Sequence, residues 1–166
     1  MPDQHRAIVL IGPMGVGKTT VGKKLARALN LPFTDTDALV VEEHGSIEKI
    51  FADLGEAKFR EFELIALQKA CANSGVVATG GGAVLSAEAQ KVIENCTVIY
   101  LSTDGRHITS RLSHGNRPLL KNGVEDWKRI YESRKPIYSS IADYEINTST
   151  QPLAATISEI RERLGI

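Results

Sequence analysis

An octapeptide near the start of the chain has the residue types needed to hold phosphate. Gly12-Pro13-Met14-Gly15-Val16-Gly17-Lys18-Thr19 matches GxxxxGK[ST] in full, directly after an apolar run and at the start of a helical pattern. Glycines let successive N–H groups turn toward phosphate oxygens, and the helix adds its positive end. Lys18 can reach the β- and γ-phosphates, and the Thr19 hydroxyl suits Mg²⁺. The complete match disfavours a plain turn with a solvated lysine, but hydrolysis, switching and phosphoryl transfer remain open.

Two carboxylates follow the second apolar run, in Thr34-Asp35-Thr36-Asp37. Residues two apart on an extended segment point the same way, so we expect Asp35 and Asp37 to face one crevice at the carboxyl end of the strand. One could hold Mg²⁺ through water, while the other accepts a hydrogen bond from a substrate hydroxyl and orients it for attack. The alternative is that Asp37 only caps a helix beginning at Ala38, and Asp37 alone does not decide between them.

Three arginines could bind anionic groups, although each alone has a simpler interpretation. Glu63 lies three residues after Arg60 and can hold its guanidinium, or the two form an ordinary surface salt bridge. Arg117 lies in segment 114–123, which is rich in Gly, Asn and Pro and typical of a lid, and it could stabilise a transferring phosphoryl group or be solvated. Arg134, late in a long helical pattern, is alone typical of a solvated face.

Three successive glycines, 80–82, end the third apolar run. A tight turn rarely needs three, so we favour a surface, centred on Gly81, where another group approaches the backbone closely. With a carboxylate at Asp37 and guanidiniums at Arg60 and Arg134, such a turn could bind both hydroxyls and a carboxylate. This set fits a small anionic polyol better than a protein or a nucleic acid.

The elements that must position these residues alternate along the chain. Five apolar runs are predicted as strands, and several are continuous, as expected for a sheet covered on both faces. The predicted strands are 7–11, 32–34, 76–79, 97–101 and 144–147, and the predicted helices are 18–29, 56–72, 86–95, 104–113, 124–141 and 152–164. Ser86 could cap its helix, and Pro136 is expected to bend or break its own. The alternation predicts an α/β fold, with helices on both faces of a parallel sheet built by right-handed crossovers.

Composition limits the class of protein and of partner. The chain has 166 residues, 42% of them hydrophobic, which fits one globular domain. Its 20 basic and 20 acidic residues balance, which argues against a general nucleic-acid binder. Cys71 and Cys96 lack CxxC spacing and are expected to be packing residues. No apolar run approaches the roughly 20 residues of a membrane helix, and no signal peptide is apparent, so we expect a cytoplasmic protein.

The combination of motifs resembles the shikimate kinase family over essentially the whole chain. The motifs are GPMGVGKTT at 12–20, DTD at 35–37, FRxxE at 59–63, GGGAV at 80–84, RPLL at 117–120 and RxPxY at 134–138. The resemblance implies transfer of the γ-phosphoryl group of ATP to the 3-hydroxyl of shikimate, in the pathway to chorismate and the aromatic amino acids. It also implies a P-loop nucleoside monophosphate kinase-like fold, with a five-stranded parallel sheet in order 2-3-1-4-5 and a lid.

The same resemblance implies one domain over 1–166 and assigns its site residues. The phosphate loop is 12–19, the shikimate-binding subdomain about 35–63 and the lid about 113–124. The nucleotide site falls on Gly15, Val16, Gly17, Lys18, Thr19, Thr20 and Arg117, with Arg111 and Gln151 near the adenine; Mg²⁺ falls on Thr19 and, through water, Asp35. Shikimate contacts fall on Asp37, Arg60, Gly81 and Arg134, and the catalytic residues are Lys18, Asp37 and Arg117. We expect ATP and Mg²⁺ as cofactors and a monomer without nucleic-acid or membrane partners.

Two other functions are compatible with the phosphate loop. A gluconate-kinase-like enzyme for another small metabolite is disfavoured by the triple glycine and the paired arginines. A non-catalytic nucleotide-binding module is disfavoured because Lys18, Thr19, Asp35, Asp37 and Arg117 are all present. A guanine-nucleotide switch would need an NKxD-like motif, which the sequence lacks.

Overall fold

The structure is a computed structural model that describes residues 6–108 and 122–166. Five strands and seven helices lie within these ranges. The strands are β1 (Ala7–Ile11), β2 (Phe33–Asp35), β3 (Gly75–Ala78), β4 (Thr97–Ser102) and β5 (Tyr144–Asn147). The helices are α1 (Lys18–Leu29), α2 (Thr36–His44), α3 (Ile47–Leu54), α4 (Glu56–Cys71), α5 (Ala87–Ile93), α6 (Val124–Ile141) and α7 (Leu153–Leu164).

The strands form one parallel sheet in the order β2-β3-β1-β4-β5, which confirms the predicted topology. β1 is central, with Leu10 in register with Ala78 of β3 and Ile99 of β4. The next two strands along the chain lie on one side of β1 and the last two on the other. The strand order therefore reverses at β1, and a crevice opens at its carboxyl end, where the phosphate loop begins.

Each face of the sheet buries its own cluster of apolar side chains. Val9 and Ile11 of β1 belong to the cluster on one face, whereas Ile8 and Leu10 belong to the other. Because successive side chains of a strand point to opposite faces, a strand buried on both faces must be apolar throughout. This explains why the runs are continuous rather than alternating.

Two helices that we did not predict, α2 and α3, connect β2 to α4. In α2 the apolar residues 38–41 are consecutive, so they do not show the three- and four-residue steps of an amphipathic helix. Tertiary packing stabilises both helices, since Val40 of α2 and Ile50 of α3 join Phe59 of α4 in a third buried cluster. Together α2, α3 and α4 form a small layer beside the carboxyl end of β2.

Most other predicted elements are present, with shifts of one or two residues at their ends. Ser86 caps α5 as expected, because its hydroxyl accepts a hydrogen bond from the Ala89 N–H at 3.1 Å. Half of the predicted helix 104–113 lies outside the described residues, and of residues 104–108 only Ile108 is helical.

Helix α6 continues through Pro136 from Val124 to Ile141, so the expectation of a break is wrong. A proline inside a helix costs about 3 kcal/mol, but α6 buries Trp127, Tyr131 and Tyr138 on its inner face. That packing outweighs the lost hydrogen bond. The two cysteines are free and pack in or against one core cluster, as expected. Within the described residues, no helix has the length and apolarity required to cross a bilayer.

Candidate functional site

The phosphate loop, residues 12–19, connects β1 to α1. Gly15 and Gly17 have φ values of 78° and 104°, in the left-handed region that favours glycine. Gly17 is the N-cap of α1, and the first turn of that helix contains no acidic residue. The first N–H groups of α1 and its positive dipole end therefore suit an anion from outside the chain.

Lys18 is buried and lies against its own loop. Its ammonium group donates hydrogen bonds to the carbonyl oxygens of Gly12 and Pro13, at 2.6 and 2.8 Å. These bonds compensate for the burial of the charge and keep it at the base of the loop. Lys18 is thereby held within the loop, where the sequence motif predicts contact with the β- and γ-phosphates.

Asp35 connects the phosphate loop to the start of α2. One carboxylate oxygen accepts a hydrogen bond from the Thr19 hydroxyl at 2.6 Å, and the other accepts the Ala38 N–H at 3.1 Å. Asp35, not Asp37, is therefore the cap of α2, and the capping alternative for Asp37 is wrong.

Asp37 lies within the first turn of α2, which begins at Thr36. The expectation that Asp35 and Asp37 share an extended segment is also wrong, because the chain turns into a helix between them. Both carboxylates nevertheless line the same cleft, since the turn occurs at the carboxyl edge of the sheet.

A cleft of about 470 Å³ brings most of the predicted site residues together. It extends from the phosphate loop to Asp37 and Gly81 on one side and to Gln151 on the other. Predicted residues that line it are Gly15, Val16, Gly17, Lys18, Thr19, Thr20, Asp35, Asp37, Gly81 and Gln151. The lining also includes Met14 of the predicted phosphate loop and Gly80 of the predicted glycine turn. Residues that we did not predict are Val21, Thr79, Thr148, Leu153 and Thr156. Arg60 and Arg134 are not among its lining residues, and Arg111 and Arg117 lie outside the described residues.

The glycine turn, residues 80–82, makes room for charged side chains. A Cβ atom at Gly82 would lie 2.7 Å from Nη2 and 2.8 Å from Cζ of Arg60, and one at Gly81 would lie 3.2 Å from Nη1 of Arg134. A Cβ atom at Gly80 would lie 2.7 Å from a carboxylate oxygen of Asp37. The close approach expected at this turn is therefore made by the side chains of Asp37, Arg60 and Arg134, which the turn gathers in one place.

Glu63 completes this charged group, and its pair with Arg60 is not a surface salt bridge. The two side chains lie 2.8 Å apart, and the Glu63 side chain is only 4% exposed. Burial raises the pKa of Glu63, and the Asp37 carboxylate adds to this shift, while Arg60 and Arg134 oppose it. Burial also disfavours the charged form of Arg60, but attraction by Glu63 and Glu56 outweighs burial and raises its pKa.

Gln151 fixes the turn between β5 and α7. Its side-chain amide donates to the Asn147 carbonyl at 3.0 Å and to the Glu159 carboxylate at 2.8 Å. Thr148 and Leu153 line the cleft beside it. Sequence reasoning found the Gln151-Pro152 turn but missed these neighbours, because no motif marks them.

Comparison with known families decides between a shikimate kinase, another small-metabolite kinase and a non-catalytic nucleotide-binding module. The family model described as shikimate kinase (SKI) matches residues 14–165. The chain belongs to the shikimate kinase family.

Curated shikimate kinases are similar over nearly their whole length. The enzyme of Streptomyces coelicolor is 41% identical over 145 residues, which are 85% of this chain and 85% of that protein. The shikimate kinase of Nitrosococcus oceani is 40% identical over 95% of this chain and 86% of its own. The predictions of an ATP-binding transferase of this family, acting in aromatic amino-acid biosynthesis, are confirmed.

Solved structures agree with the family assignment. Shikimate kinase from Acinetobacter baumannii, in complex with shikimate, superposes with a TM-score of 0.88 at 33% identity, covering 96% of this chain and 93% of that one. A gluconokinase from Sinorhizobium meliloti has a TM-score of 0.56 at 19% identity, over 96% of this chain and 95% of its own. The second likeness, at this low identity, shows the fold alone.

Proposed function

We propose that this protein transfers the γ-phosphoryl group of ATP to the 3-hydroxyl of shikimate, giving shikimate 3-phosphate and ADP. One observation carries the proposal above the others: a single cleft runs from Lys18 and Thr19 to Asp37 and Gly81. A phosphate held at one end is thus within reach of a hydroxyl held at the other. The Acinetobacter baumannii relative, whose structure contains shikimate, supports this choice of acceptor.

The two guanidiniums beside the glycine turn suit the carboxylate of shikimate. Arg60 and Arg134 approach neighbouring glycines, and a carboxylate accepts hydrogen bonds from two guanidiniums more strongly than a neutral group does. Glu63 holds Arg60 in place before a substrate arrives. Fixing the carboxylate positions the rest of the ring, which converts a bimolecular encounter into an oriented attack.

Asp37 is the group for the reacting hydroxyl. Its carboxylate lies in the cleft between the phosphate loop and the glycine turn. It accepts the hydrogen bond of the 3-hydroxyl, turns the oxygen toward the phosphorus and takes the proton as the new bond forms. Lys18 neutralises charge on the transferring group, because that charge spreads over its oxygens in a loose transition state.

Thr19 and Asp35 fit a magnesium ion. Their oxygen atoms lie 2.6 Å apart at the phosphate end of the cleft, and hydroxyl and carboxylate oxygens are hard ligands. The described residues hold no cluster of three or more His, Cys, Asp or Glu side chains, which suits a metal that shares its coordination with phosphates and water. We assign Thr19 as a direct ligand and Asp35 as a ligand through water. When bound, Mg²⁺ neutralises phosphate charge.

Other predictions remain proposals. Arg117 as a phosphate contact, Arg111 as an adenine contact and the lid at about 113–124 fall largely or wholly outside the described residues. Gln151 as an adenine contact is supported by its place in the cleft. The monomeric state and the absence of nucleic-acid and membrane partners stay as predicted from the sequence.

A substrate panel tests the proposed function. Purified protein with ATP and Mg²⁺ is expected to release ADP with shikimate and to give only background rates with gluconate or a nucleoside monophosphate. A coupled ADP assay measures the rates, and ³¹P NMR of the product locates the phosphate on the 3-oxygen. Turnover of gluconate without turnover of shikimate would contradict the proposal. Nucleotide binding without turnover of any acceptor would indicate a non-catalytic module.

Replacing Arg134 with alanine is expected to raise the KM for shikimate by about thirtyfold, because one hydrogen-bonded charge on the carboxylate is worth roughly 2 kcal/mol. The KM for ATP should change little, since the phosphates are bound by the N–H groups of the phosphate loop and by Lys18. The matched control is Lys128→Ala, which removes a positive charge from an exposed position of the same helix. An unchanged KM for shikimate would remove Arg134 from the carboxylate site.

A further inference from the structure

One face of helix α6 contacts both the phosphate loop and the glycine turn. Trp127, Tyr131, Arg134 and Tyr138 follow one another at steps of four, three and four residues, which places them along one side of a helix. Trp127 and Tyr138 are 3% and 0% exposed. Trp127 reaches the phosphate loop, while Arg134 and Tyr138 reach the glycine turn.

Trp127 holds a peptide group of the phosphate loop. Its indole N–H donates a hydrogen bond to the Met14 carbonyl at 2.7 Å. In a planar trans peptide the carbonyl and the following N–H point in opposite directions. The bond therefore turns the Gly15 N–H away from α6, in a loop where such groups are expected to point at phosphate.

Tyr138 holds a peptide group of the glycine turn in the same way. Its hydroxyl donates a hydrogen bond to the Gly81 carbonyl. Burial raises the pKa of Tyr138 to about 12, so the hydroxyl remains a donor. By the same planarity, the Gly82 N–H is turned away from Tyr138.

The orientation of both peptide groups has to be fixed by a hydrogen bond from another segment, because each peptide group adjoins a glycine. The Met14–Gly15 peptide precedes a residue with a φ of 78°, and the Gly81–Gly82 peptide has no Cβ on either side. Glycine admits several backbone conformations of similar energy, so these peptides could rotate without a steric penalty. A donor fixed on a rigid helix selects one orientation.

Helix α6 itself is rigid because it is bonded to the sheet between the two contacts. The Tyr131 hydroxyl lies 2.5 Å from the Tyr100 hydroxyl of β4 and accepts the Thr103 N–H at 3.3 Å. The rings of Tyr100 and Tyr138 also pack with centroids 5.2 Å apart. The distance between the two peptide contacts is thus set by one helix docked on one strand.

We propose that Trp127 and Tyr138 are positioning residues that fix the Met14–Gly15 and Gly81–Gly82 peptides, where the phosphate loop meets the glycine turn. The Gly15 N–H is thereby held for a phosphate oxygen and the Gly82 N–H for the carboxylate of the acceptor. The identity of the two anions rests on the proposed function, whereas the orientation of the peptides does not.

Kinetics of conservative variants test the two contacts separately. Tyr138→Phe keeps the ring and is expected to raise the KM for shikimate about tenfold, with the KM for ATP within about twofold, since a buried carbonyl loses its donor. Trp127→Phe is expected to show the opposite pattern, with an increase of about tenfold in the KM for ATP. Ser140→Ala is the matched control, because it removes from the same helix a hydroxyl that donates to the Ile137 carbonyl, without touching either peptide. Equal effects of Tyr138→Phe on both KM values would overturn the proposal.

Backbone amide shifts give a readout that does not depend on substrate. In ¹⁵N-labelled protein, the Gly82 amide is expected to move more than the Gly15 amide in Tyr138→Phe, and the Gly15 amide more than the Gly82 amide in Trp127→Phe. Unmoved amides overturn the proposal whatever the KM values do, and a moved Gly82 amide with an unchanged shikimate KM overturns the carboxylate role. Failure of the proposed function would instead appear as wild-type protein that does not phosphorylate shikimate.

Discussion

The Lys18→Ala variant is expected to lose about a thousandfold in kcat, because it removes a preorganised positive charge from the transferring phosphoryl group. Lys18 is buried, its ammonium is fixed by the carbonyls of Gly12 and Pro13, and residues 12–19 contain no second basic side chain to replace it. Shikimate should still bind with nearly its wild-type Kd, since its contacts lie at the glycine turn. Initial-rate assays give kcat, and calorimetric titration with shikimate gives the Kd.

The control for Lys18 is Lys24→Ala, on an exposed position of the same helix α1. It removes the same charge from the protein but lies outside the cleft lining, so kcat should be unchanged. Thermal unfolding of both variants checks that the loop still folds after two carbonyls lose their donor. A folded Lys18→Ala variant that retains more than about a tenth of the wild-type kcat would contradict the role of Lys18 in transition-state stabilisation.

Sequence reasoning was most successful where function depends on consecutive residues. The phosphate loop is one uninterrupted segment between a strand and a helix, so its glycines, Lys18 and Thr19 are placed by local geometry. The five strands were equally clear, because burial on both faces requires runs of apolar residues. The order of the sheet followed from the family resemblance and not from the runs themselves.

Contacts between distant segments could not be predicted in this way. Tyr138 and Gly81 are 57 residues apart, and no local pattern indicates that a phenol will reach that carbonyl. The position of Asp37 was wrong for a related reason. The side chain of Asp35 caps α2, so the helix begins at Thr36, directly after β2 ends. Because α2 is short and lacks amphipathic periodicity, the sequence pattern does not indicate this helix.

Contacts between distant segments also bring the residues of the proposed shikimate site into one group, in which the positive and negative charges are equal in number. Two guanidiniums, Arg60 and Arg134, and two carboxylates, Asp37 and Glu63, surround one glycine turn. Glu63 serves Arg60, which leaves Asp37 as the carboxylate that lines the cleft. This division explains how a carboxylate can face a site that also binds an anion.

Asp37 is therefore expected to act on turnover more than on binding. The Asp37→Asn variant should lose about a hundredfold in kcat, because its amide oxygen still accepts the hydroxyl hydrogen bond but does not take the proton. The KM for shikimate should not rise, since removing this negative charge strengthens the net attraction for the carboxylate. It also lowers the pKa of Glu63, which the Asp37 carboxylate helps to raise. Steady-state kinetics with varied shikimate separate the two parameters.

Comparison with Asp37→Ala separates orientation from proton transfer. Alanine removes both functions, so its kcat should fall below that of Asp37→Asn by about a further fivefold, the worth of one neutral hydrogen bond of roughly 1 kcal/mol. Asp53→Asn, at an exposed position of α3, is the control for loss of charge. A kcat for Asp37→Asn close to wild type would show that Asp37 orients the hydroxyl without accepting its proton, as a loose transition state permits. Equal losses in both variants would instead assign the whole effect to proton transfer.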